Sequence, residues 1–291
     1  MNLNKKLLVV ALASAFAQSA QAVERLWNTS HFFGFLCDGS FTNVDCWGAG
    51  GNPAPGLNDI ATWNFNHASP FTVTFSGNIT NQKARIRQDY ITWALNGHTY
   101  SLTTDNSVTN PSLAVGINNG ETGRLTIRNG TVNAARTVLA INGSSNGYLT
   151  LGDNATLNAG TGLTVGYWEF TTAALSVLGG SRLNSSGTAD IGFNATANGS
   201  VLVTGTGSRW DTTGHINIGS STGGTGFLEA GPGGVVAAGS LTVWNGSSSI
   251  RTGTTASATG GIIDIAGALT LQGGGDAFGY YGFVDNIYAS T

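Results

Sequence analysis

The chain is poor in charge: Asp, Glu, Lys and Arg together make up only 9% of its 291 residues, and Lys83 is the last lysine. No basic stripe exists, so the electrostatic footprint that phosphate contacts require is missing, and nucleic acid is excluded as a partner. Proline is scarce at 5 residues and cysteine at 2. After residue 22 no stretch approaches the roughly 20 apolar residues of a membrane helix, so no transmembrane segment is expected there. Gly-x-Ser-x-Gly, Gly-x-x-x-x-Gly-Lys and Gly-x-Gly-x-x-Gly are all absent, which removes the usual serine-hydrolase, P-loop and dinucleotide signatures. Helix signals are also few, because Gly or Asn interrupts almost every window of ten residues.

The first residues read as a secretory leader. Lys5 and Lys6 precede an apolar run from Leu7 to Ala17, and Ala20-Gln21-Ala22 supplies a small–x–small cleavage site. Cleavage between Ala22 and Val23 leaves 10 basic against 15 acidic groups. The expected location is beyond the inner membrane: cell surface, outer-membrane-associated or extracellular. In such an oxidising compartment Cys37 and Cys46 are expected to form a disulfide. A metal site would need further ligands at suitable spacing, and His31 is the only neighbour, so none is expected. No cofactor is expected either.

What the chain has in abundance is repetition. Aliphatic pairs recur at Leu113-x-Val115, Leu139-x-Ile141, Leu163-x-Val165, Ala189-x-Ile191, Ile216-x-Ile218 and Leu241-x-Val243, at spacings of 26, 24, 26, 27 and 25. A second pair follows about ten residues later: Leu125-x-Ile127, Leu149-x-Leu151, Leu175-x-Val177, Val201-x-Val203 and Leu228-x-Ala230. A third, single position comes next at Val132, Leu157, Leu183, Trp210 and Val235. Alternation with a period of two is the signature of a strand with one face inward. Asn-Gly and Gly-Gly pairs between the strands turn the chain cheaply. Three short strands per unit of about 25 residues predict an all-β fold, a single-stranded parallel β-helix.

Residues 23–70 depart from this rhythm and carry Trp27, Trp47, Trp63 and both cysteines. They are expected to cap the open end of the solenoid, since an uncovered end exposes strand edges and apolar core. Residues 71–272 are expected to form the coils, the first one or two of them irregular. Residues 273–291 are expected to be a tail or a truncated coil.

These motifs resemble the repeats of bacterial autotransporter (type V secretion) passengers and of PEP-CTERM exosortase substrates. Gly199-Ser-Val-Leu-Val203-Thr-Gly205-Thr-Gly207-Ser208-Arg-Trp210 carries the fullest match, followed by Ile216-Asn-Ile218-Gly219 and Gly226-Phe-Leu228 through Gly233-Gly234-Val235. Cys46-Trp47, Pro53, Asp59 to Trp63 and Phe71 to Phe75 are similar to the opening segment of such proteins. The resemblance covers most of residues 40–245 and implies a β-helical exoprotein of the cell surface, tied to adhesion or biofilm matrix. Neither a Pro-Glu-Pro anchor nor a barrel follows residue 273, so the chain is expected to be a fragment, or to be released or held by other means.

Parallel β-helices also host polysaccharide lyases and hydrolases, whose carboxylates gather on one outer face. The candidate pair is Glu229 and Asp264, if register sets them one coil apart. The other coils offer Leu202, Ser176 and Thr150 there, which favours two solvated acids. Trp168, Glu169 and Trp244 are candidates for an exposed glycan contact. Trp210, between Arg209 and Asp211, is expected in the core. His215 stands alone. Expected partners are extracellular glycans or other cell surfaces, with a polysaccharide-active enzyme or glycan-binding module as the alternative function.

Overall fold

A computed structural model describes residues 22–27, 39–48, 53–66, 69–105, 107–253, 260–273, 276–279 and 287–289. The chain is a β-solenoid of about eight turns spaced by roughly 26 residues, and among the described residues every pairing between strands is parallel. Residues 1–21 of the expected leader, Cys37 and most of the segment after 273 lie outside the described residues.

Each regular coil has three faces. The first is a sheet of nine strands that includes Thr122–Arg128, Asn146–Gly152, Thr172–Val177, Asn198–Val203 and Thr225–Ala230. The second and third belong to one fifteen-stranded sheet, because long strands such as Thr131–Leu139, Thr156–Val165 and Arg209–Ile218 bend in the middle and serve both. The register shifts between Ala134 and Arg136 and between Thr212 and His215 mark the bend.

Inside, the aliphatic repeats become columns. On the first face Leu125, Leu149, Leu175, Val201 and Leu228 stand over one another. On the second, Val132, Leu157, Leu183 and Trp210 do the same, and on the third, Val115, Leu139, Val165, Ile191, Ile218 and Val243. All are buried. Two expected positions are corrected. Val236, not Val235, continues the column above Trp210, because the corner from Ala230 keeps the six-residue step seen from Leu151 to Leu157 and from Val177 to Leu183, which leaves Val235 in register with Arg209. Leu139 aligns with Val115 and Val165, so its inward partner is Thr137, not Ile141. Ile141 instead joins Ala114 and Val138 in a separate cluster on the outer side of the third face.

Close stacking dictates glycine at two kinds of position. At the corner after the third face, Gly192 has φ of 73°, and a Cβ would lie 2.1 Å from the Thr225 carbonyl. At the bend, a Cβ on Gly214 would lie 2.1 Å from the Gly187 carbonyl one coil away.

The N-terminal segment is built into the same stack. Glu24–Leu26 pairs with Ile60–Trp63, which pairs with Lys83–Ile86 and then Leu113–Val115. Trp27, Phe41, Trp47, Trp63, Phe75, Trp93 and Tyr100 fill its interior. Cys46 is buried and disulfide-bonded. At the other end, Asp276–Gly279 and Ile287–Ala289 pair in parallel with Ser249–Thr252 and Ile262–Ile265. Among the described residues no helix is long and apolar enough to cross a membrane.

Candidate functional site

With the core sealed, chemistry is confined to the outward rows. On the first face Glu229 stands over Leu202 and under Arg251. Arg251 donates to its Oε2 at 2.6 and 3.0 Å and lies over the Phe227 ring at 4.4 Å. Asp264 is elsewhere, on the second face, in register with Ala237. The expected pairing of Glu229 with Asp264 one coil apart is therefore not formed. Its error lay in assuming that both belong to the same outward row, whereas a corner separates them.

The bend between the second and third faces is concave and encloses a groove of about 650 Å³. Its wall is an amide ladder: Asn158 donates to Asn133 at 2.7 Å, and Asn184 donates to Asn158 at 2.8 Å. The same row continues as Asp211, Ala237 and Asp264. Asp211 is committed to Arg209, whose Nε reaches its two oxygens at 2.6 and 2.7 Å. Trp210 between them is in the core, as expected, and donates to the Ser185 hydroxyl at 3.1 Å. His215 is bonded to Ser240 at 2.7 Å. Among the described residues no three His, Cys, Asp or Glu are grouped to hold a metal.

The third outward feature is aromatic. Immediately after the corner residue, successive coils present Ile117, Ile141, Tyr167 and Phe193, aligned by backbone bonds from Ile141 to Gly116, Tyr167 to Ala140 and Phe193 to Gly166. Tyr167 stacks on Phe193 at 5.5 Å, with planes 16° apart, and touches Trp168 at 5.6 Å. Trp168, Phe170 and Phe193 remain 47, 65 and 40% exposed. Glu169 is exposed in the same turn. The next coil breaks the apolar row with Gly219 and Ser220, and the one after brings Trp244 to the same edge.

Between Phe193 and Trp244 lies a slot of about 110 Å³, lined also by Asp190, Asn217, Ser220 and Ser221. The Trp244 indole donates to the Asn217 side-chain oxygen at 3.0 Å, and the Asn217 amide donates to Asp190 at 2.8 Å. Burial raises the pKa of Asp190, outweighing the opposing pull of the Asn217 bond and of His215 and Arg136. Two sequence candidates, Trp168 and Trp244, thus lie on one edge. Phe193, Asp190 and Asn217 were missed. Alignment of the residue after each corner glycine would have found Phe193; Asp190 and Asn217 look like ordinary strand polar residues.

No protein-family model matches this chain, and neither the curated proteins nor the solved structures contain a match to it.

Proposed function

We propose that the protein is an exported structural or adhesive β-solenoid displayed at the cell surface. The observation that carries this reading is the unbroken parallel stack from Glu24–Leu26 to Ile287–Ala289, which gives a stiff rod with repeated outward rows of Asn, Thr and Ser. Repetition suits weak contacts made many times, where avidity replaces a single strong site. The leader-like segment ending at Ala22 and the resemblance to autotransporter passengers and PEP-CTERM proteins support export. Val23 already belongs to the stack through its carbonyl, which accepts from the Ile60 amide at 2.9 Å.

The test is expression with its own leader in a Gram-negative host. Expected are cleavage after Ala22, protease access on intact cells, and attachment or matrix formation that is lost on deletion. Retention of the uncleaved chain in the cytoplasm overturns the reading. Glycan cleavage is the second reading, favoured by one observation. Asp211 and Asp264 share the groove two rungs apart, roughly 10 Å by coil spacing, close to the separation that inverting glycosidases use. Reducing ends released from a polysaccharide by the wild type, and lost in Asp264→Asn, would establish it.

A further inference from the structure

From the slot between Phe193 and Trp244 we infer that this edge of the solenoid binds an extended, uncharged polysaccharide, with sugar rings against the aromatic planes and hydroxyls on Asp190, Asn217 and Ser220. The inference deepens the adhesive reading and rests on it for its biological setting, although binding itself is measured on the purified chain.

Three observations point to sugar. The first is the arrangement of rings. Phe193 and Trp244 flank a coil that contributes Asn217, Gly219, Ser220 and Ser221, so the glycine and the serines leave an opening one coil wide between two aromatic side chains. A pyranose has an apolar C–H face that packs on an aromatic plane while its hydroxyls stay at the rim. The second is the floor. Asn217 is held between the Trp244 indole and Asp190, which fixes its amide and leaves the second Asp190 carboxylate oxygen without a hydrogen bond among the described residues. The carboxylate accepts from sugar hydroxyls, and the serine hydroxyls beside it can donate to or accept from adjacent ones. A purely apolar docking face would not place a half-buried carboxyl at its base, because an unmatched polar group opposite apolar surface costs free energy.

The third is continuity. The stacked pair Tyr167 and Phe193 extends the platform along the solenoid axis, with Trp168 and the exposed Phe170 beside it. Coils repeat at about 4.8 Å, comparable to the advance of one sugar along an extended chain, so successive rungs meet successive residues. The absence of charge on the ligand follows from the lining, which holds Asp190 and no basic side chain, with Glu169 exposed nearby. An anionic glycan would meet like charge.

The experiment is affinity electrophoresis of the full chain, purified after expression with its own leader, through gels containing hydroxyethylcellulose, xylan, mixed-linkage β-glucan, dextran or alginate. Retardation by at least one neutral polymer is expected, with none by alginate. Trp244→Ala and Phe193→Ala should each weaken it roughly tenfold, the loss of one aromatic contact. Trp244→Phe, which keeps a plane, should retain most of it, and Thr150→Ala on the first face should behave as wild type. Trp168→Ala removes a largely exposed ring and so reports on the platform in a chain that stays folded by circular dichroism. The inference is overturned if no neutral polymer retards the wild type, if alginate alone does, or if the variants bind unchanged. It is also overturned if gel filtration shows a concentration-dependent dimer that Trp168→Ala abolishes, for then the edge is covered by a second copy. Because surface display is scored separately on cells, a rod that reaches the surface without binding glycan refutes this inference alone.

Discussion

The N-terminal region and the regular coils use the same columns but fill them differently. Trp63 stands below Ile86 and Val115, Trp93 lies between Val73 and Ile127, and Tyr100 sits over Ile79 and under Val132. Farther along, the columns are mostly Leu, Ile, Val and Ala, with Trp210 the lone large ring among the described coils. A middle coil has neighbours on both sides, so modest side chains close its interior. Toward the N-terminal end, where among the described strands Glu24–Leu26 pairs on one side alone, indole and phenyl rings cover more apolar area per residue than aliphatic side chains do. Their edge-to-face contacts, such as Trp27 on Trp47 at 4.9 Å and Trp93 on Tyr100 at 5.1 Å, tie the end together. A buried polar network shares the space: Tyr100 donates to Asn81 at 2.8 Å, and Asn81 donates to the carbonyls of Pro55 and Gly56. Burial raises the Tyr100 pKa well above its ordinary value, so the hydroxyl stays a donor. This end is sealed by large rings and polar anchoring, the middle by repetition.

The largest expected effect is at the sealed end. Trp93→Ala should cost about 3–5 kcal/mol, read as a fall in the urea midpoint. Leu175→Ala in a middle coil should cost about 2–5 kcal/mol, toward the lower end because neighbouring coils can settle into the space. Equal losses would mean that the end is not specially dependent on its rings. Next is the bend: Gly214→Ala should lose about 1–3 kcal/mol through overpacking against the adjacent coil. Gly152→Ala, where a Cβ meets nothing within 4 Å, should gain roughly 0.4–1 kcal/mol. A smaller loss, about 0.5–1.5 kcal/mol, is expected for Asn184→Ala, which breaks the amide ladder.

The smallest effects are those of pH, and they differ in sign between two carboxylates. Burial would raise the pKa of Glu121, but bonds from Arg87 and Asn118 overcome it and the net shift is downward. Its stabilisation is therefore present above the unfolded carboxylate pKa and lost as pH falls through the folded value. Asp190 is shifted upward, so its contribution favours the fold at low pH and is lost as pH rises through its folded pKa. Melting temperature against pH should show a shallower acid limb for Glu121→Gln, and a gain at neutral pH for Asp190→Asn.

Much of the fold was legible because inward alternation and the corner Asn and Gly residues are local signals, repeated often enough to average out exceptions. The exceptions are instructive. Thr137 occupies an inward position, its hydroxyl buried without a partner, while aliphatic Ile141 lies outside. Hydropathy alone reverses that pair, and only the pairing of Leu139 with Val115 corrects it. The candidate site was partly legible. Trp168 and Trp244 stood out as aromatics in polar turns, but their common edge depends on alignment across four coils, and Asp190 gained meaning only from its burial beside Asn217 and the Trp244 slot.

By itself, then, the sequence determined that the chain alternates, turns and repeats at a nearly constant interval, because backbone and hydrophobic preferences act within a few residues. Only the tertiary structure decided which outward residues share a row, which carboxylates are neutralised by arginine and where aromatic rings leave an opening. The regular coils differ in length by up to 3 residues, from 24 to 27, and each such difference shifts what stands above what. Adjacency across rungs is set by the packing of neighbouring coils.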